Sequence, residues 1–477
     1  MSSDTRPATP MSRQIAEHRS LLDRALGLPK LILVVLSVVL IGFVISQILI
    51  GYLVVSGQLD GKWYDVRDFG NAMVSLTDAI NRSQMDSRIV STLTYLIPTL
   101  LGATGIVSVV GGWLLIGPWA ERRLLAKFQI RQGPNRTGPF GLLQSLADAL
   151  KLMQKEIIIP RGADRFLYFA PPIAVFIPAI LGWAPIPWSP KMSYADLDVG
   201  VLFVIAISSL GVLAVFMAGW ASNNHYSLLG AMRTIAMMIS YEIPISVSLL
   251  AVVLLTGSTK LSEIVMWQSE QGVWLIMLIP FAALAFLFAS TAEINRTPND
   301  IGEAESEIVA GFYTEYSGMK AGLFMAVELG NAILVGALMS TFFLGGYTFF
   351  GLETWIPGYL ILATKIGLVY FLFVWIRATL PRFRLDQLMG FAWKFLIPVS
   401  IVLMFLTAIE SSILVRWDVP SFLSLGLIAL VNITAAVGLT FVWMRVLFRD
   451  TDLSEPPTPI LTRKMGGLQA AKVLRGR

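Results

Sequence analysis

The feature that most constrains this chain is a series of long apolar runs. A helix that crosses a bilayer needs about 20 consecutive, mainly apolar residues. By this criterion the 477-residue sequence contains about ten candidate spans with no large soluble domain between them. They cover residues 31–55, 93–117, 166–186, 201–221, 235–256, 273–290, 321–344, 359–376, 391–407 and 422–444. The sequence therefore predicts an all-α, polytopic membrane protein with about ten transmembrane helices.

Composition supports this class and excludes several kinds of site. Hydrophobic residues make up 55% of the chain and charged residues 14%, whereas a soluble domain carries about 25% charged residues. The chain has no cysteine, so it supplies no thiolate ligands to an iron–sulfur cluster. His18 and His225 are its two histidines, and so few imidazoles argue against a metal or haem site. No metal ligands are predicted.

The distribution of basic residues predicts the orientation in the membrane. Lysine and arginine concentrate before the first apolar run, in the connections 118–165 and 377–384, and after the last run. The opposite connections, such as 189–200 and 257–272, contain few. Because cytoplasmic connections carry the excess of basic residues, both termini are expected in the cytoplasm. The same distribution explains the net charge of +5, so nucleic-acid binding is not predicted.

This pattern divides the chain into three parts. Residues 1–30 form a basic cytoplasmic tail without an evident cleavage site after the first apolar run. Residues 31–447 form the membrane domain, and residues 448–477 form a second cytoplasmic tail rich in proline and arginine.

Acidic residues concentrate in and near one polar stretch, residues 292–318, between two apolar runs. Glu242 and Glu328 are expected inside spans, at similar depth in the cytoplasmic half. Lys365 lies near the middle of another span. Carboxylates at a membrane boundary are costly to desolvate, which points to proton handling, ion binding or docking. A solvated loop, with single buried hydrogen bonds at the intramembrane sites, is the alternative. The glutamates concerned are Glu242, Glu293, Glu303, Glu305, Glu307, Glu315 and Glu328.

The connection after the second apolar run predicts an interfacial helix. Gly133-Pro134 and Gly138-Pro139 form tight backbone corners. After them, a narrow polar stripe recurs at helical spacing, at Gln144, Asp148, Lys151 and Lys155. Leucines cover much of the remaining surface, so this helix lies in the membrane interface or packs under other spans. A lipid-surface anchor without a ligand has the same pattern.

Four ordered motifs resemble a known family, the quinone-site membrane subunit of respiratory complex I, the proton-pumping NADH:quinone oxidoreductase. The first is the run 121–156, with its Gly-Pro-Asn-Arg-Thr-Gly-Pro-Phe-Gly-Leu-Leu-Gln core. The others are 220–242, 293–318 and 376–382. The resemblance extends from about residue 93 to about residue 407. The family has eight spans, so the runs at 31–55 and 422–444 are one addition at each end.

The resemblance implies a function for the motifs. The chain would be the membrane subunit of a proton-translocating NADH:quinone oxidoreductase in the plasma (inner) membrane of a bacterium. Quinone would be the substrate, of a type left open, and the partners would be other membrane-arm and peripheral subunits, including an iron–sulfur subunit. The quinone chamber would involve Arg123, Gln129, Arg131, Arg296 and Asp300. The seven glutamates named above would form an acidic relay that couples quinone reduction to proton pumping.

Two departures and three alternatives accompany this interpretation. The family usually has Phe where this chain has Asn299, and usually has Pro where it has Ser145. The chain could also serve an F420-dependent or hydrogenase-linked relative of the complex. A stand-alone transporter would predict related halves with broken helices, and no repeat relates the halves. A purely structural anchor would tolerate neutral glutamine at Glu293 and Glu328.

Overall fold

The computed structural model describes residues 87–190, 192–302, 310–352, 355–417 and 421–448. The predicted first span at 31–55, the N-terminal tail and the C-terminal tail beyond Phe448 lie outside the described residues. So do Glu303, Glu305 and Glu307.

The described chain is helical apart from one short hairpin. The α-helices are α1 (Ser87–Phe128), α2 (Gln144–Gln154), α3 (Arg165–Leu181), α4 (Gly200–Ala221), α5 (His225–Thr256), α6 (Leu261–Gln271), α7 (Leu275–Leu278), α8 (Pro280–Glu293), α9 (Met319–Phe343), α10 (Gly358–Thr379), α11 (Leu385–Phe391), α12 (Ile397–Arg416) and α13 (Ser421–Phe448). Two single 3₁₀ turns, Pro139–Gly141 and Gly311–Tyr313, and a π-helical turn, Ala392–Leu396, complete the helical elements. The strands β1 (Pro187–Ser189) and β2 (Met192–Ser193) pair antiparallel between α3 and α4.

The architecture confirms a helical membrane protein. Within the described ranges, six helices are long and apolar enough to cross a membrane: Gly200–Ala221, His225–Thr256, Met319–Phe343, Gly358–Thr379, Leu385–Leu414 and Leu423–Trp443. The helices Arg165–Leu181 and Pro280–Glu293 are shorter but also apolar. The structure therefore supports a multi-span bundle, while the number of spans stays a prediction.

Several helix boundaries differ from the sequence prediction. Helix α1 has 42 residues and runs through Pro118 and the following arginines, whereas the predicted span stops at residue 117. The predicted span 273–290 is divided into α7 and α8, because Pro280 has no N–H to continue the ladder and Ile279 is non-helical. The sequence did not predict this interruption.

The interior of the bundle is a continuous apolar core. The largest cluster joins residues of α4, α5, α8, α9 and α10, and includes Tyr241, Phe286, Phe342 and Phe343, each at most 2% exposed. Helix α5 packs against α4, α8 and α12 and thus occupies the centre. Large apolar side chains on the outer faces, such as Leu202 and Leu368 at 62% each, are exposed, which suits a surface surrounded by lipid tails.

Helix α2 forms where the polar stripe predicts it. Asp148 faces α1, where Arg122 Nη1 lies 2.6 Å from Asp148 Oδ2. Leu146 and Leu150 on the other side are 45% and 51% exposed. The helix is therefore amphipathic, with its polar side toward α1; its position in the membrane interface stays a prediction.

Candidate functional site

A buried arginine lies at the point where α8 ends. After Glu293 the chain leaves the helix, and Asn295 adopts a left-handed conformation with φ of 52°. The backbone N–H of Arg296 then donates to Thr291 O at 3.1 Å. This turn directs the chain back along α8 and buries Arg296 to 7% exposure.

Arg296 connects carboxylates from two other helices. Its Nη1 lies 2.5 Å from Glu121 Oε1, near the C-terminal end of α1. Its Nε lies 2.7 Å from Glu328 Oε1, in α9. Arg377 of α10 also pairs with Glu121, and the Tyr370 hydroxyl donates to Glu121 Oε2 at 3.1 Å. We call these five residues the Arg296 network.

The formal charges of the Arg296 network cancel. Two guanidinium groups face two carboxylates, which reduces the cost of keeping four charges away from water. Burial opposes the charge of Arg296, but Glu328 and Glu121 outweigh it and raise the pKa of this guanidinium above its ordinary value. Arg296 therefore stays cationic at any physiological pH. A change of charge nearby must then be balanced by gain or loss of a proton at another group.

The next residues of this connection are tied to the segment after α10. Arg382 Nη2 lies 2.8 Å from Asp300 Oδ2, and the Phe383 N–H donates to Pro298 O at 3.1 Å. Asn299, at the position that departs from the family pattern, is fully buried, and its amide donates to Thr291 Oγ1 at 2.8 Å. The amide nitrogen of this buried polar side chain therefore has its partner within the chain.

A cleft opens beside the Arg296 network. It measures about 1080 Å³, counted with the space that opens to its surroundings, and lies between α3, α4, α5, α8 and α9. Its lining is mainly apolar, but Glu293 and Glu328 both reach it, together with Ser208, Ser290 and Asn331. Two predicted relay residues therefore share one cavity, where water could connect them.

Two more predicted glutamates are placed by the described structure. Glu242 is half-buried in α5 and interacts electrostatically with Glu293, whose carboxylate also lies within hydrogen-bonding distance of Ser208. The neighbouring Tyr241, rather than Glu242, joins α5 to the next segment, through its hydroxyl and Leu388 O at 3.0 Å. Glu315 lies apart from this group, and its carboxylate accepts a hydrogen bond from Asn224 Nδ2 at 2.6 Å.

Of the predicted chamber residues in the first motif, Gln129 and Arg131 are exposed, and Arg123 is half-buried. Arg131 Nε donates to Gln129 Oε1 at 2.7 Å, and both residues are exposed. The Arg123 guanidinium carbon lies 5.4 Å from the ring centroids of both Trp119 and Phe140. Trp119 Nε1 donates to Phe140 O at 3.0 Å, which fixes this turn against α1. The connection therefore presents a cationic and aromatic surface at the end of α1.

The structure groups some predicted residues and adds others. Arg296 contacts Glu328, which shares the cleft with Glu293, and Glu242 interacts electrostatically with Glu293. Arg123 instead lies in the last turns of α1, and Gln129 and Arg131 follow its end. Sequence analysis missed Glu121, Tyr370 and Arg377 as members of the site. The available signal was position: Glu121 and Arg377 each lie at the end of an apolar run and inside a family motif. Across the described ranges, no group of three or more His, Cys, Asp or Glu side chains could hold a metal ion.

These features define a class of protein: a polytopic helical membrane protein with a buried charge network beside a mainly apolar cleft that two carboxylates reach. The chain belongs to the NADH dehydrogenase family, whose sequence model matches residues 101–408. This match confirms the resemblance indicated by the four motifs.

Curated relatives agree with the family match. The chain is 48% identical over 353 residues to the H subunit of the NADH-quinone oxidoreductase of Dehalococcoides mccartyi strain CBDB1, covering 74% of this chain and 94% of the relative. It is 44% identical over 331 residues to the protein of that name from Rickettsia peacockii, covering 68% and 96%. It is 48% identical over 310 residues to the protein of the same name from Geobacillus kaustophilus, covering 65% of this chain and 92% of the relative. Helix α13 begins after the family match ends at residue 408.

Proposed function

We propose that this chain is the membrane subunit of a proton-pumping NADH-quinone oxidoreductase, and that it forms part of the quinone chamber and of an acidic relay. Its relatives of that name are matched over nearly their whole length. The observation that carries the mechanistic part is the position of Arg296, which links Glu121 and Glu328 beside the cleft that contains Glu293.

The quinone chamber is assigned to the surface at the end of α1 and to the connection after α8. A quinone headgroup has two carbonyl oxygens that accept hydrogen bonds, and Arg123, Gln129 and Arg131 supply donors next to exposed aromatic rings. The connection folds back closely on α1, since a Cβ added at Gly133 would lie 3.1 Å from Arg123 Cα. Arg296 and Asp300 would complete the inner side of the chamber.

The acidic relay begins where the chamber ends. Reduction of quinone changes the charge near Arg296, and Arg296 remains cationic. A proton shift among the surrounding carboxylates would then restore the balance. Glu328 contacts Arg296 directly, Glu293 shares its cleft, and Glu242 lies within electrostatic range of Glu293. Glu315 and the undescribed Glu303, Glu305 and Glu307 are assigned to the cytoplasmic side of this relay.

Partners and orientation follow from the same assignment. The chain would assemble with other subunits of the complex, and the excess of basic residues in its connections supports a cytoplasmic side for both termini and the chamber. The exposed surface around Arg123 and Arg131 would then meet a peripheral iron–sulfur subunit that delivers electrons to quinone. The division into a membrane domain and two cytoplasmic tails, and the location in a bacterial plasma membrane, belong to this proposal.

Purification of the intact complex through a tag on this chain tests the assignment. NADH-oxidising and iron–sulfur subunits should co-purify, and the preparation should reduce quinone with NADH. A preparation with F420-oxidising or hydrogenase subunits would support the related complexes. Transport by the purified single chain in vesicles, without partners, would support a transporter and contradict the proposal.

A further inference from the structure

A second polar site lies between α12 and α13, and two of its residues, Glu410 and Asn432, lie outside the range 101–408 matched by the family model. Asn432 of α13 is 3% exposed, although it lies in a helix with an apolar outer surface. Its side-chain amide donates to Glu410 Oε2 of α12 at 3.3 Å and to Ile428 O at 3.0 Å. Glu410 lies six residues before Arg416, the end of α12, which is about 9 Å at a rise of about 1.5 Å per residue. Helix α13 thus supplies a hydrogen-bond partner to a carboxyl near the end of the candidate span Leu385–Leu414.

A cavity adjoins this pair. It lies between α5, α8, α12 and α13. Its volume is about 320 Å³, which includes the part that is open to the outside. Four polar side chains line it: Ser248, Ser400, Thr407 and Asn432. Helix α5 separates it from the cleft of the Arg296 network, because Ser248 lines the one and Leu249 lines the other. The two sites are therefore distinct.

Two buried polar atoms at this site have no hydrogen-bond partner among the residues that the structure describes. Ser400 is 5% exposed, and within the described part of the chain its hydroxyl has no hydrogen-bond partner. Glu410 Oε1 is likewise buried and has none there. A buried polar atom without a partner costs about 1–3 kcal/mol. Ordered water normally supplies the missing bond where a cavity offers it two to four polar groups.

We propose that α13 completes an intramembrane water site, in which Glu410 is a carboxyl that takes up and releases protons. Water in the cavity would bond to Ser400, Thr407 and Asn432, and Asn432 would hold the Glu410 carboxyl at its edge. Protonation of the Glu410 carboxylate would consume a hydronium ion delivered through this water and leave a water molecule, and deprotonation would reverse the step, so no other reactant is needed. The site does not depend on the function proposed above.

Radiolytic hydroxyl-radical labelling of the purified complex tests for the water, because bound water next to a side chain accelerates its oxidation. Met404 lines the cavity, and fully buried Met237 is the internal reference. We expect Met404 to be oxidised several-fold faster than Met237, and Asn432→Leu and Ser400→Ala to slow it. Leu430→Ala, at an exposed position on α13, should leave it unchanged.

The protonation of Glu410 has its own test. A hydrophobic carbodiimide reacts with protonated carboxyls in apolar surroundings, so peptide mass spectrometry should find the adduct on Glu410 and not on the exposed Glu270. Glu410→Gln should abolish that adduct. The proposal is overturned if Met404 is oxidised no faster than Met237, or if Glu410 stays unmodified at all pH values. If Asn432→Leu prevents assembly, Ser400→Ala alone decides the water test.

Discussion

Arg296 and Glu121 are 175 positions apart in the sequence, yet Arg296 Nη1 lies 2.5 Å from Glu121 Oε1. The contact joins the end of α1 to the connection after α8. Because Arg296 also contacts Glu328 through Nε, one side chain couples the surface that begins at α1 to the cleft in the bundle. The interior of the protein is thereby linked to the proposed quinone chamber.

Removal of the Glu121 carboxylate should destabilise the protein strongly. Glu121→Gln leaves Arg296 and Arg377 with one negative partner between them, and breaking a buried ion pair costs about 3–5 kcal/mol. Thermal unfolding of the purified complex should show a lower midpoint. Asp148→Asn, which breaks the more exposed pair with Arg122, should cost about 0–1 kcal/mol. Equal effects of the two substitutions would contradict the central place of Glu121.

Arg131→Ala should weaken inhibition by quinone analogues. Arg131 is exposed and held by Gln129, so its loss should remove a donor for the headgroup without unfolding the chain. We expect a several-fold rise in the inhibitor concentration for half-inhibition, with electron transfer from NADH to artificial acceptors retained. Arg136→Ala, at another exposed position of the same connection, is the control. An equal rise for both variants would indicate a general charge effect.

Asn299→Phe restores the residue usual in the family and should not be neutral. Asn299 is fully buried and bonded to Thr291, so a larger ring must displace its neighbours, at a cost of about 1–3 kcal/mol. Quinone affinity should change in this variant if the connection borders the chamber. Titration of the reduction rate with quinones of different tail length would measure this. Unchanged stability and affinity would separate Asn299 from the site.

Lys365→Met should reduce stability without a selective effect on quinone. Lys365 is 5% exposed, and its Nζ donates to the carbonyls of Leu344, Gly346 and Thr348 at 2.5, 2.9 and 2.6 Å. Each hydrogen bond to a charged group contributes about 1.5–3 kcal/mol, so the segment after α9 should loosen. Hydrogen exchange of residues 344–348 should rise. Lys260→Met, at a surface ion pair, should leave that exchange unchanged.

The sequence predicted the helical class and most elements, because apolar runs and polar stripes depend on neighbours a few residues apart. The acidic relay stays a prediction: among its described members, Glu293 ends α8, whereas Glu242 and Glu328 lie inside α5 and α9. The sequence did not predict the burial of Glu121, because that depends on Arg296 and Arg377, which arrive from distant helices. It missed the break before Pro280 and the extension of α1 through Pro118. Proline interrupts the helix before α8 but is tolerated inside α1, so its presence alone does not predict a break. Packing, rather than local pattern, decides these cases.

The proton-to-electron ratio of the complex in proteoliposomes is the sharpest probe of the relay. Glu328→Gln removes the carboxylate that joins Arg296 to the cleft, and Glu293→Gln removes its neighbour there. Both variants should assemble, reduce quinone several-fold more slowly and translocate fewer protons, while Glu270→Gln, at an exposed position of α6, behaves as the unchanged protein. Normal turnover and a normal proton-to-electron ratio in both variants would contradict the acidic relay.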